Sequence, residues 1–279
     1  MLDPRKLITK YNVKPNHDAG QNFLVDRTAL RQIVEAADLT DQDEVLEVGP
    51  GLGVLTEQLV AKAKLVVAVE LDRQMMYVLK KEFRQTENLI LINDSILKVA
   101  PSRIVDNFET KEYKIVANIP YNITAHFLRQ FLETEFRPRK MVLLVQKEVA
   151  ERVTARAGKM SLLGVSAQFF AEPKIVGLVP AKSFYPVPRV DSAILVFDVT
   201  GPRFEIDEKI FFQTVRIGFS AKRKQLKNNL AAGFRLSANE VEQFLLAAGL
   251  KSTVRAQELA VEDWARLAGV ISQGMKEMI

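Results

Sequence analysis

The order of apolar runs predicts an α/β protein in which a mainly parallel sheet of seven strands, covered by helices on both faces, is followed by a small all-helical domain. Three observations carry this. Candidate strands at 45–48, 65–69, 89–92, 114–118, 141–146, 174–179 and 192–198 alternate with helical patterns, the signature of a doubly wound sheet. The first of them, with Val45, Leu46 and Val48, runs into a turn bearing Gly49, Gly51 and Gly53 and then into the helical spacing of Val54, Leu55, Leu59 and Val60. After Gly201-Pro202 the strands stop, and helical patterns occupy about 207–219, 222–233, 238–248 and 258–272. The expected domains are therefore 1–200 and 201–279.

Composition narrows the class. With 279 residues, 48% of them hydrophobic, the chain has material for a large core. No apolar run approaches the ~18 residues of a membrane helix. The first residues, with Asp3, Arg5, Lys6 and Lys10, lack a signal peptide's apolar segment, so a soluble, cytoplasmic protein is expected, acting as a monomer. There is no cysteine, and the only histidines are His17 and His126. That excludes disulfides, thiolate zinc sites and a cysteine nucleophile, and no metal site is expected. The net charge of +5 is compatible with a polyanionic partner.

Residues 1–18, with Pro4 and Pro15, read as an arm of little regular structure. Gly20-Gln21-Asn22-Phe23-Leu24 follows, and then a helix capped by Asp26 with Leu30, Ile33, Val34 and Ala37 on one face. The segment 179–190, carrying Pro180, Pro186 and Pro188, is too rich in proline for either flanking strand. From Lys209 to Arg235 there are seven basic residues and no acid, a pattern that suits phosphate contact. Lys222, Arg223, Lys224 and Lys227 form its densest part.

The glycine turn is the first chemical signal. Glycine is required where φ is positive or where a ligand lies against the main chain, and the following helix offers unpaired N–H groups. A dinucleotide fingerprint would read GxGxxG, but here Thr56 stands where a third spaced glycine might be sought. Acids end the next strands: Glu70, with Asp72, after Leu65–Val69, and Asp94 after Leu89–Ile92. Each alone is an ordinary loop charge; in strand-end register with Glu47 they line one crevice. Glu70 is placed to grip a ribose diol, and Asp94 to accept from an adenine amine. The turn Glu47-Val48-Gly49-Pro50-Gly51-Leu52-Gly53 resembles the ExGxGxG signature of S-adenosylmethionine-dependent methyltransferases.

The fourth strand ends in Asn118-Ile119-Pro120-Tyr121. An exocyclic adenine amine is a weak nucleophile because its lone pair is delocalised into the ring. The Asn118 side-chain carbonyl and the Ile119 main-chain carbonyl can accept its two protons and favour a tetrahedral nitrogen. Pro120 shapes the turn and has no N–H to compete. Tyr121 offers a face on which an extruded base can stack. Phe184, between strands six and seven, is expected to sandwich that base from the other side, and Arg189 to hold the backbone of the same RNA.

Together these residues resemble the KsgA/Erm family of rRNA adenine dimethyltransferases, and within it the KsgA branch. The likeness spans nearly the whole chain and rests on Gly20 to Leu24, Glu47 to Gly53, Glu70, Asp94, Asn118 to Tyr121, Phe184 to Ser192, Arg223-Lys224 and Asn228-Asn229-Leu230. It implies a Rossmann-like class I methyltransferase fold and a cofactor site for S-adenosylmethionine made by Asn22, Leu24, Gly49, Glu70, Asp94 and Asn118. It also implies dimethylation of two adjacent adenosines in a hairpin loop near the 3′ end of small-subunit rRNA, within an assembling ribosomal subunit. One departure is Asn16-His17-Asp18-Ala19, where relatives commonly carry a basic pair. Three other readings stay open: an Erm-type enzyme acting on large-subunit rRNA, a non-catalytic RNA-binding assembly or transcription factor, and, disfavoured by the glycine spacing, a nicotinamide oxidoreductase.

Overall fold

The computed structural model describes residues 2–16, 20–221 and 223–277. In chain order the elements are α1 (Pro4–Lys10), β1 (Phe23–Leu24), α2 (Arg27–Ala37), β2 (Glu44–Val48), α3 (Val54–Val60), β3 (Leu65–Val69), α4 (Arg73–Glu82), β4 (Leu89–Ile92), α5 (Pro101–Val105), β5 (Tyr113–Asn118), α6 (Thr124–Leu132), β6 (Lys140–Gln146) and α7 (Lys147–Val153). They continue with α8 (Leu162–Phe170), β7 (Ala171–Val179), β8 (Phe184–Tyr185), β9 (Ser192–Val199), α9 (Glu208–Gly218), α10 (Leu226–Phe234), α11 (Ala238–Ala247) and α12 (Val261–Glu277). Two compact units result, one of residues 1–150 with 172–200 and the other of 151–171 with 201–279. Segment 151–171 thus groups with the helical unit, whereas a cut at residue 200 assigns it to the first.

In the first unit seven strands form one sheet in the order β4-β3-β2-β5-β6-β9-β7. The pairs β2–β3, β2–β5, β3–β4 and β5–β6 are parallel, and β9 runs antiparallel to β6. β3, the Ile115–Ala117 part of β5 and the Met141–Val145 part of β6 read as continuous apolar runs because helices cover both faces of the parallel part. On one face Ile33, Val34 and Ala37 of α2 pack on Val45, Val116, Val142 and Leu144; each valine, leucine or isoleucine among them contributes about 1.5–3 kcal/mol by burial. Asp26 caps α2 by accepting from the N–H groups of Thr28 and Ala29 (2.8 and 3.2 Å). The sheet reverses direction in strand order between β2 and β5, which places a crevice at the carboxyl ends of these strands.

The N-terminal arm is more ordered than its prolines suggest. Pro4 occupies the first helical position of α1, where its missing N–H costs nothing, and Asp3 caps the helix by accepting from Arg5 N–H (3.0 Å). Leu7 and Val13 join Phe23, Leu52, Met75 and Val78 in a buried cluster. β1 pairs antiparallel with β8, Phe23 opposite Tyr185 and Leu24 opposite Phe184.

At the opposite end of the sheet Lys114 is buried. Its ammonium donates to the carbonyl of Ala37 (3.1 Å) and to Asp43 (3.0 Å), and Arg139 pairs with the other oxygen of Asp43. Burial opposes ionisation of Asp43, but the Thr40 N–H and these cations outweigh it and hold the carboxyl below its usual range.

The second unit is helical and aromatic at its centre. Phe169 lies on Phe211 with ring centroids 4.2 Å apart, and Trp264 is fully buried against Phe219. Buried Asn229 donates to the carbonyls of Gly218 (2.7 Å) and Ala221 (3.1 Å), which fixes the chain as it leaves α9.

Candidate active site

The glycine turn leaves β2 with Gly49 at φ +63° and Gly51 at φ +56°, backbone that L side chains rarely adopt. A Cβ on Gly51 would also sit 3.2 Å from the Phe23 ring. The two lips of the crevice are joined through Glu70. Its carboxylate accepts from Gly51 N–H (3.0 Å) on one side and from Asp72 N–H (2.8 Å) on the other. Burial raises the Glu70 pKa, and these backbone donors offset part of the rise.

A cleft of about 360 Å³ opens here, lined by the glycine turn, by Gly20 to Leu24, by Glu70 to Asp72, and by Asn118 to Tyr121. Its charged described residues, Glu47, Glu70 and Asp72, are all acids, and none is basic. Such a lining repels a pyrophosphate and suits a ligand with cationic groups. Glu47 is buried, and its Oε2 lacks a hydrogen-bond partner among the described residues. Burial pushes its carboxyl up to about 8; the Thr56 hydroxyl opposes the rise and Glu70 adds to it.

The outer wall is pinned by polar contacts. Asp72 caps α4 through the N–H groups of Gln74 (2.7 Å) and Met75 (3.1 Å), and accepts from Gln21 Nε2 (2.8 Å). Asn22 donates from Nδ2 to the carbonyl of Gly20 (3.1 Å), while its own carbonyl accepts from Asn118 Nδ2 (3.2 Å). Because the carboxamide nitrogen faces a carbonyl, Oδ1 of Asn118 is left as the acceptor. Ile119, buried at its side chain, and Pro120 continue the wall. Tyr121 lines the cleft, and its hydroxyl lies 2.7 Å from Ser192 Oγ at the start of β9. Burial raises the phenol pKa, partly offset by Ser192, so the ring stays neutral.

The structure thus brings together Asn22, Leu24, Glu47, Gly49, Gly51, Glu70 and Asn118 to Tyr121. It does not bring all the expected residues to the cleft. Phe184 is 2% exposed and packed in the core with Leu24 and Ile33, so it offers no open stacking face; alternation along β8 turns it inward. Gly53 is not in the lining. A Cβ there would meet the Phe83 ring at 2.5 Å, so its lack of a side chain serves helix packing. Asp94 is not in the lining either, and its carboxylate accepts from Ser95 N–H (2.7 Å).

Among the basic residues, Arg189, Arg223 and Lys224 are exposed, Lys227 is paired with Glu242 (3.0 Å), and Lys222 lies outside the described residues. Residues that pattern reading missed are Gln21, Met75 and Leu71, the last apolar yet 67% exposed beside Glu70. An apolar residue directly after a strand-end acid was the available signal.

A doubly wound sheet with its last strand, β9, inserted between β6 and β7, a glycine turn without the dinucleotide spacing, and an acid-lined cleft at the switch point define an S-adenosylmethionine-dependent methyltransferase. Residues 12–273 match the family model described as ribosomal RNA adenine dimethylase, and the chain belongs to that family. It is 42% identical over 269 residues to the ribosomal RNA small subunit methyltransferase A of Dehalococcoides mccartyi, covering 96% of this chain and 92% of that protein. To the protein of the same name in Clostridium acetobutylicum it is 35% identical, covering 97% and 98%. Among solved structures it resembles a dimethyladenosine transferase from Plasmodium falciparum (TM-score 0.76, 25% identity, 92% and 98% covered) and the 23S rRNA methyltransferase ErmE (TM-score 0.72, 27% identity, 90% and 100% covered).

The residues present fit the family's methyl donor. The partnerless oxygen of Glu47, the left-handed Gly49 and Gly51 and the absence of a described base in the lining suit a ligand bearing a sulfonium and an ammonium. Among the described residues no helix is long and apolar enough to cross a membrane, and no group of three potential metal ligands occurs.

Proposed function

We propose that this chain dimethylates the N6 amines of two adjacent adenosines in the 3′-terminal hairpin loop of small-subunit rRNA, acting as a cytoplasmic monomer on an assembling ribosomal subunit. The observation that carries the chemistry is the Asn118–Asn22 hydrogen bond, which occupies the Asn118 carboxamide nitrogen and leaves Oδ1 as the group's acceptor at the cleft wall. Bound S-adenosylmethionine supplies an electrophilic methyl group.

The chain's own residues prepare the nucleophile. Asn118 Oδ1 and the Ile119 carbonyl accept the amine protons and draw the nitrogen lone pair out of the ring. Tyr121, steadied through Ser192, provides the face on which the extruded base rests. The methylated nitrogen forms as the S–CH3 bond breaks and sheds a proton to solvent, and the resulting monomethylamine still has one proton for one acceptor and a lone pair for attack, so the same wall serves the second. Glu47 and Glu70 hold the cofactor end of the cleft, with Asp94 at the neighbouring strand end, and Arg189, Lys222, Arg223 and Lys224 supply phosphate contacts.

The choice of small-subunit rRNA is supported by near full-length kinship with proteins of that name. The test is methyl transfer from labelled S-adenosylmethionine to unmodified small subunits, unmodified large-subunit rRNA and protein-free RNA, with nucleosides identified by mass spectrometry. Dimethyladenosine in small-subunit RNA alone is expected. Product in large-subunit RNA alone would overturn the substrate assignment, and cofactor binding without product would favour an assembly role.

A further inference from the structure

We propose that Tyr185 is an RNA-stacking residue of this chain, receiving an unpaired nucleotide next to the target adenosine, with Arg189 and Lys182 taking its phosphates. The inference rests on reading the chain as an rRNA adenine methyltransferase and names a contact surface for that reaction.

Phe184 and Tyr185 form the two-residue strand β8, in which successive side chains point to opposite faces. Phe184 goes into the core, and Tyr185 is left 44% exposed. Its neighbours are also apolar and exposed: Val187 is 63% and Val190 44% accessible. Lys182 and Arg189 are exposed in the same segment. Its one acid, Asp191, is committed to the fold, accepting from Ala181 N–H (2.9 Å) at Oδ1 and from Lys147 N–H (3.0 Å) at its carbonyl. One short segment thus exposes an aromatic ring, two valines and two cations, the kinds of side chain that match a nucleotide's base face and phosphate.

The patch is held firmly and lies next to the reactive wall. Val25 N–H donates to the Ser183 carbonyl (2.9 Å), and Ser183 Oγ to Asp26 (2.8 Å). Tyr185 is paired with Phe23, the residue following Asn22. Asn22 in turn holds Asn118. On this proposal a base lifted onto the Asn118 wall leaves its strand neighbour beside Tyr185. A rigid aromatic face needs no ordering at binding, which favours stacking over a mobile side chain.

The test compares Tyr185→Ala, Tyr185→Phe and Tyr185→Trp. Removing a stacking face weakens binding by about tenfold, so Tyr185→Ala is expected to raise KM for unmodified small subunits about tenfold with kcat and S-adenosylmethionine affinity unchanged. Tyr185→Phe stays within about twofold of the unaltered chain. Tyr185→Trp adds a tryptophan to fully buried Trp264; its emission is quenched when a synthetic RNA hairpin with two unpaired adenosines in its loop is added.

An unchanged KM in Tyr185→Ala, an equal loss in Tyr185→Phe, or steady emission from Tyr185→Trp overturns the proposal. So does a change in sedimentation of Tyr185→Ala at constant KM, which would make the patch a contact between copies. Failure of the unaltered chain to methylate rRNA would instead overturn the proposed function.

Discussion

Asn118 Nδ2 and the main-chain carbonyl of Asn22, separated by 96 residues in sequence, meet at 3.2 Å. The contact ties back the donor end of the carboxamide and, in the proposed mechanism, leaves the acceptor end for the amine. Asn118→Ala removes that acceptor at the reacting nitrogen. By analogy with the loss of a single group aimed at developing charge, turnover should fall by about 10²–10³-fold. S-adenosylmethionine affinity, measured by calorimetry, should change little. A variant retaining most of its turnover would refute the role.

Glu47 predicts a pH dependence. Its carboxyl titrates at about 8 in the folded chain against the usual 4.5, so between these values the folded state holds a proton that the unfolded state has lost. Stability is then fully present below the lower value and falls as pH rises, by about 1.4 kcal/mol per pH unit for one group. Glu47→Gln should flatten the dependence of Tm between pH 5 and 8 relative to the unaltered chain. A cationic ligand favours the ionised carboxyl, so S-adenosylmethionine should expel a proton on binding, visible as a buffer-dependent calorimetric enthalpy that Glu47→Gln reduces. Equal proton release in the two proteins would remove Glu47 from cofactor binding.

The glycines of the turn should separate into two phenotypes. Gly51→Ala places a methyl against Phe23 within the cleft wall and should weaken cofactor affinity. Gly53→Ala drives a methyl into Phe83 and Leu79 away from the lining and should cost about 2 kcal/mol of stability with a smaller effect on affinity once folded. Thermal melts and calorimetry of both variants decide it.

Basic residues of the helical unit should differ in their salt response. Arg223 and Lys224 are exposed, and replacing both by alanine should reduce the slope of log K against log salt by about 1.4 for single-stranded contacts. Lys227 is held by Glu242. Lys227→Ala should leave the slope nearly unchanged and lose at most about 1 kcal/mol of stability. Filter binding across a salt series distinguishes the two.

The sheet was legible because runs such as Leu89 to Ile92 and Ile115 to Ala117 are apolar, short and bounded by turn residues. β1 and β8 were not, since two residues carry no periodicity and become strands only through a partner far along the chain. α1 was hidden by reading Pro4 as a breaker when it stands at a helix start. At the site, strand-end acids could be placed, but not where their oxygens point: Asp94 turns to Ser95 and Asp72 to its helix. Aromatic content at Phe184-Tyr185 was plain, whereas which ring faces inward depends on register with β1. Segment 151–171 joins the second unit through packing such as Phe169 on Phe211, which no linear cut reveals.

The acid-only lining of the cleft also bears on repeated rounds. A methyl group leaving a sulfonium takes that positive charge with it, so the spent thioether, left with its ammonium alone, is drawn less strongly to a cleft lined by Glu47, Glu70 and Asp72. Dimethylating two adenosines takes four such exchanges. Each is helped by the same field that drew the fresh donor in, so the pocket's electrostatics bias the traffic toward exit after transfer and entry before it.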